Sequence, residues 1–258
     1  MEIDIPTFTL LHYVIFFITG IFAGFVDSIA GGGGIITVPV LLSSGIPPHM
    51  ALGTNKLQSS FGSFTAAYNY SRKGLVSFSD IKTAIFFTAI GAFTGAITIQ
   101  FLSAGFLNTI IPIFLCTIFI YTIFSPKIGE KTMEPLINKN IFYVTAGLIL
   151  GFYDGFFGPG TGSFWVIGIV ALIGLDLKKA TAFTKFTNFT SNFIALIFFI
   201  IGGKVLFIVG ICMGTGQVIG AFAGSKLVIL RDTSFVRIFF IIVVGVTLIK
   251  LVYSSYFS

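Results

Sequence analysis

The chain has 258 residues, 55% of them hydrophobic and only 9% charged, where an ordinary soluble domain carries roughly 25% charged residues. So few charges cannot cover the water-exposed surface of a fold this size, which excludes a soluble protein. A net charge of +6 would suggest a nucleic-acid partner in a soluble chain; here the 15 basic residues fall mostly between apolar segments, where the positive-inside rule accounts for them and no nucleic acid is expected.

Ten apolar segments follow one another along the chain: 8–27, 33–45, 50–71, 82–102, 105–124, 141–157, 163–175, 180–201, 204–225 and 235–253. Glu2 and Asp4 make the N-terminus acidic, whereas a cleavable signal needs a basic start, so the first segment is expected to remain as a helix. Most segments have the ~20 residues that cross ~30 Å of hydrocarbon. Segments 33–45 and 163–175 do not, since at 1.5 Å per residue each reaches only about 20 Å. Each follows a glycine-rich stretch, and the first contains Pro39. The polar stretch 125–140, with Lys127, Glu130, Lys131, Glu134 and Lys139, divides 1–124 from 141–258.

The two halves repeat. Gly24-Phe25-Val26-Asp27 leading into Gly31 and Gly33 matches Gly151-Phe152-Tyr153-Asp154 leading into Gly158 and Gly160, at an offset of 127. Ala51, Lys56, Gly74, Gly91 and Gly95 then match Ala180, Lys185, Gly203, Gly220 and Gly224 at an offset of 129. A shared Asp and a shared Lys at a steady offset are hard to obtain from glycine content alone. Five segments per half is an odd number, so the second half enters the membrane from the opposite side. Charge supports this: the loop at 72–82 is basic and its counterpart near 203 nearly bare, while the loop near 103 is bare and its counterpart at 226–237 basic. The sequence thus predicts an all-α membrane protein of two inverted repeats, with both termini outside.

Three features could carry chemistry. The stretches Gly31-Gly32-Gly33-Gly34 and Gly158-Pro159-Gly160-Thr161-Gly162 precede helices too short to span, so they are expected inside the membrane, where irregular backbone is tolerated when buried in protein or lining a cavity. Glycine admits close approach of a ligand, and a helix N-terminus favours an anion; close helix packing is the alternative. Lys56 and Lys185 lie inside apolar segments, within Thr54-Asn55-Lys56 and Thr184-Lys185-Phe186-Thr187-Asn188. An intramembrane cation beside hydroxyl and amide donors suits an oxyanion, and snorkelling to the interface is the alternative. Asp27 and Asp154 end the helices before the glycine stretches; they could relay protons, pair with the lysines, or cap the short helices.

Gln58 and Gln217 could line the same cavity or bond a neighbouring helix, and dispersed glycines such as Gly91/Gly95 and Gly220/Gly224 read as packing positions. Cys116 and Cys212 sit in apolar stretches without a disulfide or metal pattern, and His12, His49 and Trp165 are single. Without a nucleophile–base set, metal-ligand cluster or nucleotide loop, neither an enzyme nor a cofactor is expected.

Gly24-Phe25-Val26-Asp27-Ser28-Ile29-Ala30-Gly31-Gly32-Gly33-Gly34, Thr37-Val38-Pro39 and Ala51-Leu52-Gly53-Thr54-Asn55-Lys56 together resemble the sulfite exporter TauE/SafE family of membrane permeases. Gly155-Phe156-Phe157-Gly158-Pro159-Gly160-Thr161-Gly162 and Ala182-Phe183-Thr184-Lys185 are similar to that family's second repeat. The resemblance implies a prokaryotic inner-membrane transporter for sulfite, a sulfonate or another small sulfur-containing anion. The expected site comprises Gly31, Gly32, Gly33, Gly34, Thr54, Asn55, Lys56, Gly158, Gly160, Thr161, Gly162, Thr184, Lys185 and Asn188, with Asp27 and Asp154 shaping it or carrying a coupling ion. Its partners would be a small anion and the bilayer, and a homo-oligomer is compatible with the chain. Two rival readings are a cation or proton exchanger centred on Asp27 and Asp154, and a membrane scaffold that transports nothing.

Overall fold

The computed structural model describes residues 6–107, 109–111, 113, 114, 117 and 134–230. These residues form helices and no strands. The elements are α1 (Leu10–Ala30), α2 (Gly33–Ser43), α3 (Pro48–Arg72), α4 (Phe78–Gln100), α5 (Lys139–Phe156), α6 (Thr161–Gly168) continued by a π-helical turn (Ile169–Ile173), α7 (Leu177–Ile201) and α8 (Phe207–Leu230). Residues 104–107 begin the fifth predicted segment, most of which lies outside the described residues. The tenth segment, Cys116 and linker residues 125–133 lie outside them entirely.

Local chemistry sets the helix ends. The Asn138 side chain accepts from the Asn140 and Ile141 N–H groups at the start of α5, and Asp176 accepts from Lys179 N at 3.0 Å at the start of α7, each meeting orphan donors of a first turn. These caps place α5 and α7 two or three residues ahead of their apolar segments. Pro48 opens α3, where its missing N–H costs nothing.

α1, α4, α7 and α8 are each long and apolar enough to cross a membrane. α3 has comparable length, at about 37 Å for its 25 residues, but its inward face carries Thr54, Asn55, Lys56, Gln58, Ser60 and Ser63, all buried. α2 and α6 do not cross. α2 turns back beside α1, so that Gly45 comes to rest beside Pro6. α6 turns back beside α5, so that Leu136 N donates to Leu172 O at 2.9 Å. Each pair therefore forms a hairpin, and the two hairpins open on faces at opposite ends of the bundle. The first face gathers Pro6, Gly45, His49 against Ile99, and Gly53 against Lys204. The second gathers Gly74–Ser77, Lys139, Leu175 and Lys179.

Packing is crossed between the halves. α1 runs along α8: Gly20 and Gly24 abut the backbone of Met213 and Gln217, while Gly216, Gly220 and Gly224 abut Phe17, Ile21 and Phe25. α4 runs along α5 in the same way, with Gly91 against Leu148 and Phe152, and Gly151 against Thr88. Without side chains in the way the backbones meet directly, and dispersion between them replaces the hydrophobic driving force that lipid cannot supply. The contacts correspond position for position: Gly220 against Ile21 and Phe25 is matched by Gly91 against Leu148 and Phe152. Large apolar side chains such as Leu10, Phe86, Phe101, Ile149, Ile201 and Ile208 point outward, as lipid contact requires.

Candidate functional site

The tips of the two hairpins touch. Gly31 ends α1 with φ +78°, and a Cβ there would collide with Gly162 at the start of α6. Only glycine reaches this left-handed conformation without strain and leaves room for backbone to approach so closely. On the other strand of the contact, Gly158 and Gly160 also have positive φ, and the Thr161 hydroxyl donates to Gly158 O at 2.6 Å to close the turn. The Tyr153 hydroxyl donates to Pro159 O at 2.7 Å, which pins the loop to α5.

Two Lys–Asp pairs cross the molecule between the halves. Lys56 on α3 donates to Asp154 Oδ1 on α5 at 2.7 Å and also to the Asp154 main-chain oxygen. Lys185 on α7 donates to the Asp27 main-chain oxygen at the end of α1, and its Nζ stands 3.4 Å from Asp27 Oδ2. Both lysines are fully enclosed, with side-chain exposures of 1% and 0%. Neither snorkels. Each cation binds a main-chain oxygen in the C-terminal turn of α1 or α5, where positive charge is favoured, and the aspartate side chain supplies the counter-charge. Removing a charge from water costs several kcal/mol unless it is paired and hydrogen-bonded, and these two are both.

Between the tips lies a polar cavity of about 20 Å³, room for about one water molecule. Its walls are Gly31 and Gly34, Gly158, Gly160, Thr161 and Gly162, Asp27 and Asp154, and Asn55, Ser59, Asn188 and Asn192. The buried Asn188 Oδ1 has no hydrogen-bond partner, and Asn188 Nδ2 stands against Gly162.

The expected residues divide into two groups. Gly31, Gly34, Asn55, Gly158, Gly160, Thr161, Gly162, Asn188, Asp27 and Asp154 border the cavity. Lys56 and Lys185 stand one layer behind it, holding the aspartates that do. Gly32 and Gly33 start α2 outside the lining, where Gly33 N donates to Asp27 Oδ1 at 3.4 Å. Thr54 accepts from Leu206 N at 3.0 Å near the first face, and the Thr184 hydroxyl donates back to Ala180 O. Ser59 and Asn192 were missed. Each lies four residues beyond a chosen residue, Asn55 and Asn188, so helical spacing was the available signal. Gln58 joins an amide network behind the wall, donating to Asn55 Oδ1 at 2.7 Å and accepting from Gln217 Nε2. His12 bonds Thr9 and Trp165 packs against Phe142 and Phe183, away from the cavity. Among the described residues, no group of His, Cys, Asp and Glu could hold a metal ion.

Sequence comparison extends the picture. The profile of the sulfite exporter TauE/SafE family matches residues 16–251. "Probable membrane transporter protein YfcA" of Escherichia coli is 43% identical over 247 residues, covering 96% of this chain and 91% of that protein. A "Probable membrane transporter protein" of Haemophilus influenzae is 39% identical, covering 93% and 94%. "Probable membrane transporter protein ORF9" of Sinorhizobium sp. is 42% identical, covering 88% and 87%. No solved structure matches. With membrane-length apolar helices around a closed polar core, this multi-pass membrane protein belongs to the sulfite exporter TauE/SafE family of membrane transporters.

Proposed function

We propose that the protein is a secondary transporter of a small anion, sulfite or an organosulfonate, working by alternating access in the inner membrane of a prokaryote. It consists of two inverted repeats, 1–124 and 141–258, joined by the linker 125–140. The observation that carries this reading is the cavity where the two hairpin tips meet, backed by one lysine from each half. Inverted-repeat transporters bind substrate near the midplane between broken helices. Reciprocal glycine contacts and oppositely opening hairpins support the inverted relation. The second face carries Arg72, Lys73, Lys82, Lys139, Lys178, Lys179 and Lys226 against Lys204 on the first, so the second is cytoplasmic and the termini are outside.

An anion fits better than a metal cation because both cavity carboxylates already hold lysines, and the four charges cancel. Amide and hydroxyl groups of Asn55, Ser59, Thr161, Asn188 and Asn192, with the N-terminal ends of α2 and α6, then favour negative charge. A scaffold would have no use for a polar cavity closed by glycines. Since the cavity holds about one water, parting of the tips towards one face admits the anion and parting towards the other releases it.

The test is a thermal-melting screen of the purified protein against sulfite, sulfate and short alkanesulfonates. At a ligand concentration a hundred times its dissociation constant, stabilisation of about 2.7 kcal/mol is expected. A melting temperature that ignores every anion but rises with sodium or potassium would replace this reading with the cation exchanger.

A further inference from the structure

The two Lys–Asp pairs occupy equivalent positions but are built differently. Asp154 has a side chain only 4% exposed; its Oδ1 lies 2.7 Å from Lys56 Nζ, and its Oδ2 accepts the Ser191 hydroxyl. Asp27 has a side chain 15% exposed; its Oδ2 stands 3.4 Å from Lys185 Nζ, and its Oδ1 meets the Gly33 N–H at 3.4 Å. The cause is a sequence difference. By the repeat offset, the position of Ser191 on α7 corresponds to Gly62 on α3, which has no hydroxyl and is covered by the Gln217 amide. Both aspartates border the cavity. Asp154 is thus held by a short cationic bond and a hydroxyl, whereas Asp27 makes two longer contacts and is the more exposed of the two.

We propose that Asp27 carries the proton that couples transport, and that Lys185 is the cation this proton releases to the anion, while Lys56–Asp154 stays paired throughout. The proposal rests on the anion-transport reading above. A proton from water on the open side adds to an Asp27 oxygen and ends its attraction to Lys185. Lys185 is then an uncompensated buried cation, and an entering monovalent oxyanion balances it. The site is neutral when empty and neutral with one proton and one anion aboard, so neither form carries net charge through the membrane. On the far side the anion leaves, the proton returns to water, and the Asp27–Lys185 pair re-forms.

The groups facing Asp27 are compatible with this role. Lys185 approaches from α7, Asp154 faces it across the cavity from α5, and Tyr70 on α3 donates its hydroxyl to Ser28 O next to it. Lys56, on α3, is turned to Asp154. α2 and α6 carry no titratable side chain; α8 carries an exposed Lys226 and Cys212, which bonds Tyr13 O near the first face.

The experiment uses reconstituted full-length protein and sulfur-labelled sulfite, with two readouts: exchange at equal pH on both sides, and accumulation driven by an acidic exterior. The wild type is expected to do both. Asp27→Asn is expected to lower the ratio of accumulation to exchange at least tenfold. If Asp27→Asn does not reconstitute, Asp27→Glu carries the test: its pH profile for uptake should move by half a unit or more, and that of Asp154→Glu should not. An undiminished ratio in Asp27→Asn, or a moved profile in Asp154→Glu alone, would overturn the assignment. Wild-type exchange without any pH-driven accumulation overturns the coupling but leaves anion transport standing; no wild-type exchange at all removes both.

Discussion

Lys56→Met is expected to destabilise the purified protein by about 3–5 kcal/mol, the usual cost of stripping one partner from a buried ion pair. Lys56 is 1% exposed and donates to both a carboxylate and a main-chain oxygen of Asp154. Lys185→Met should cost less, because its Asp27 partner is longer in contact and reaches the cavity more openly. The double variant Lys56→Met/Asp154→Asn removes both charges and should recover much of the loss. Melting curves of the wild type, Lys56→Met, Asp154→Asn and the double variant form a thermodynamic cycle, and the coupling energy is expected to be large for contacting residues. Additive losses would mean that the pair contributes nothing as a pair.

Gly31→Ala is expected to part the hairpin tips and reduce transport at least a hundredfold. Two costs coincide there. An alanine at φ +78° is strained by roughly 1–2 kcal/mol, and its methyl would overlap the Gly162 backbone. Gly74 separates the two, since it has φ +67° with no neighbour within 4 Å. Gly74→Ala should therefore carry the strain alone, lowering stability slightly while sparing transport. Equal transport loss in both variants would show that backbone strain, and not the touching tips, is what matters.

The comparison of these glycines shows where the sequence was legible. Two segments too short to span, each behind a glycine run, predicted short broken helices, and α2 and α6 are such helices. The Asp–Lys equivalence across the repeats marked four side chains that the fold joins in two ion pairs. Their partnership was not legible, because pairing Lys56 with Asp154 and Lys185 with Asp27 depends on α1 packing against α8 and α4 against α5, which no local pattern encodes. For the same reason the lysines looked like direct ligands, whereas the aspartates line the cavity. Ser59 and Asn192 were hidden by composition: small polar residues recur along α3 and α7, and only the helix phase set by tertiary packing selects which ones face inward.

The central claim is that an anion passes through the cavity between the hairpin tips. Exchange of labelled sulfite across liposomes containing wild-type protein and Asn188→Leu tests it most directly, since Asn188 borders the cavity and its Oδ1 has no partner to lose. Leucine keeps the branched skeleton of asparagine while replacing its polar atoms with methyl groups, and a melting curve checks that the variant folds. Saturable exchange by the wild type, reduced at least tenfold in the folded variant, is the predicted result. Equal exchange by both proteins would place the anion's path elsewhere and contradict the account.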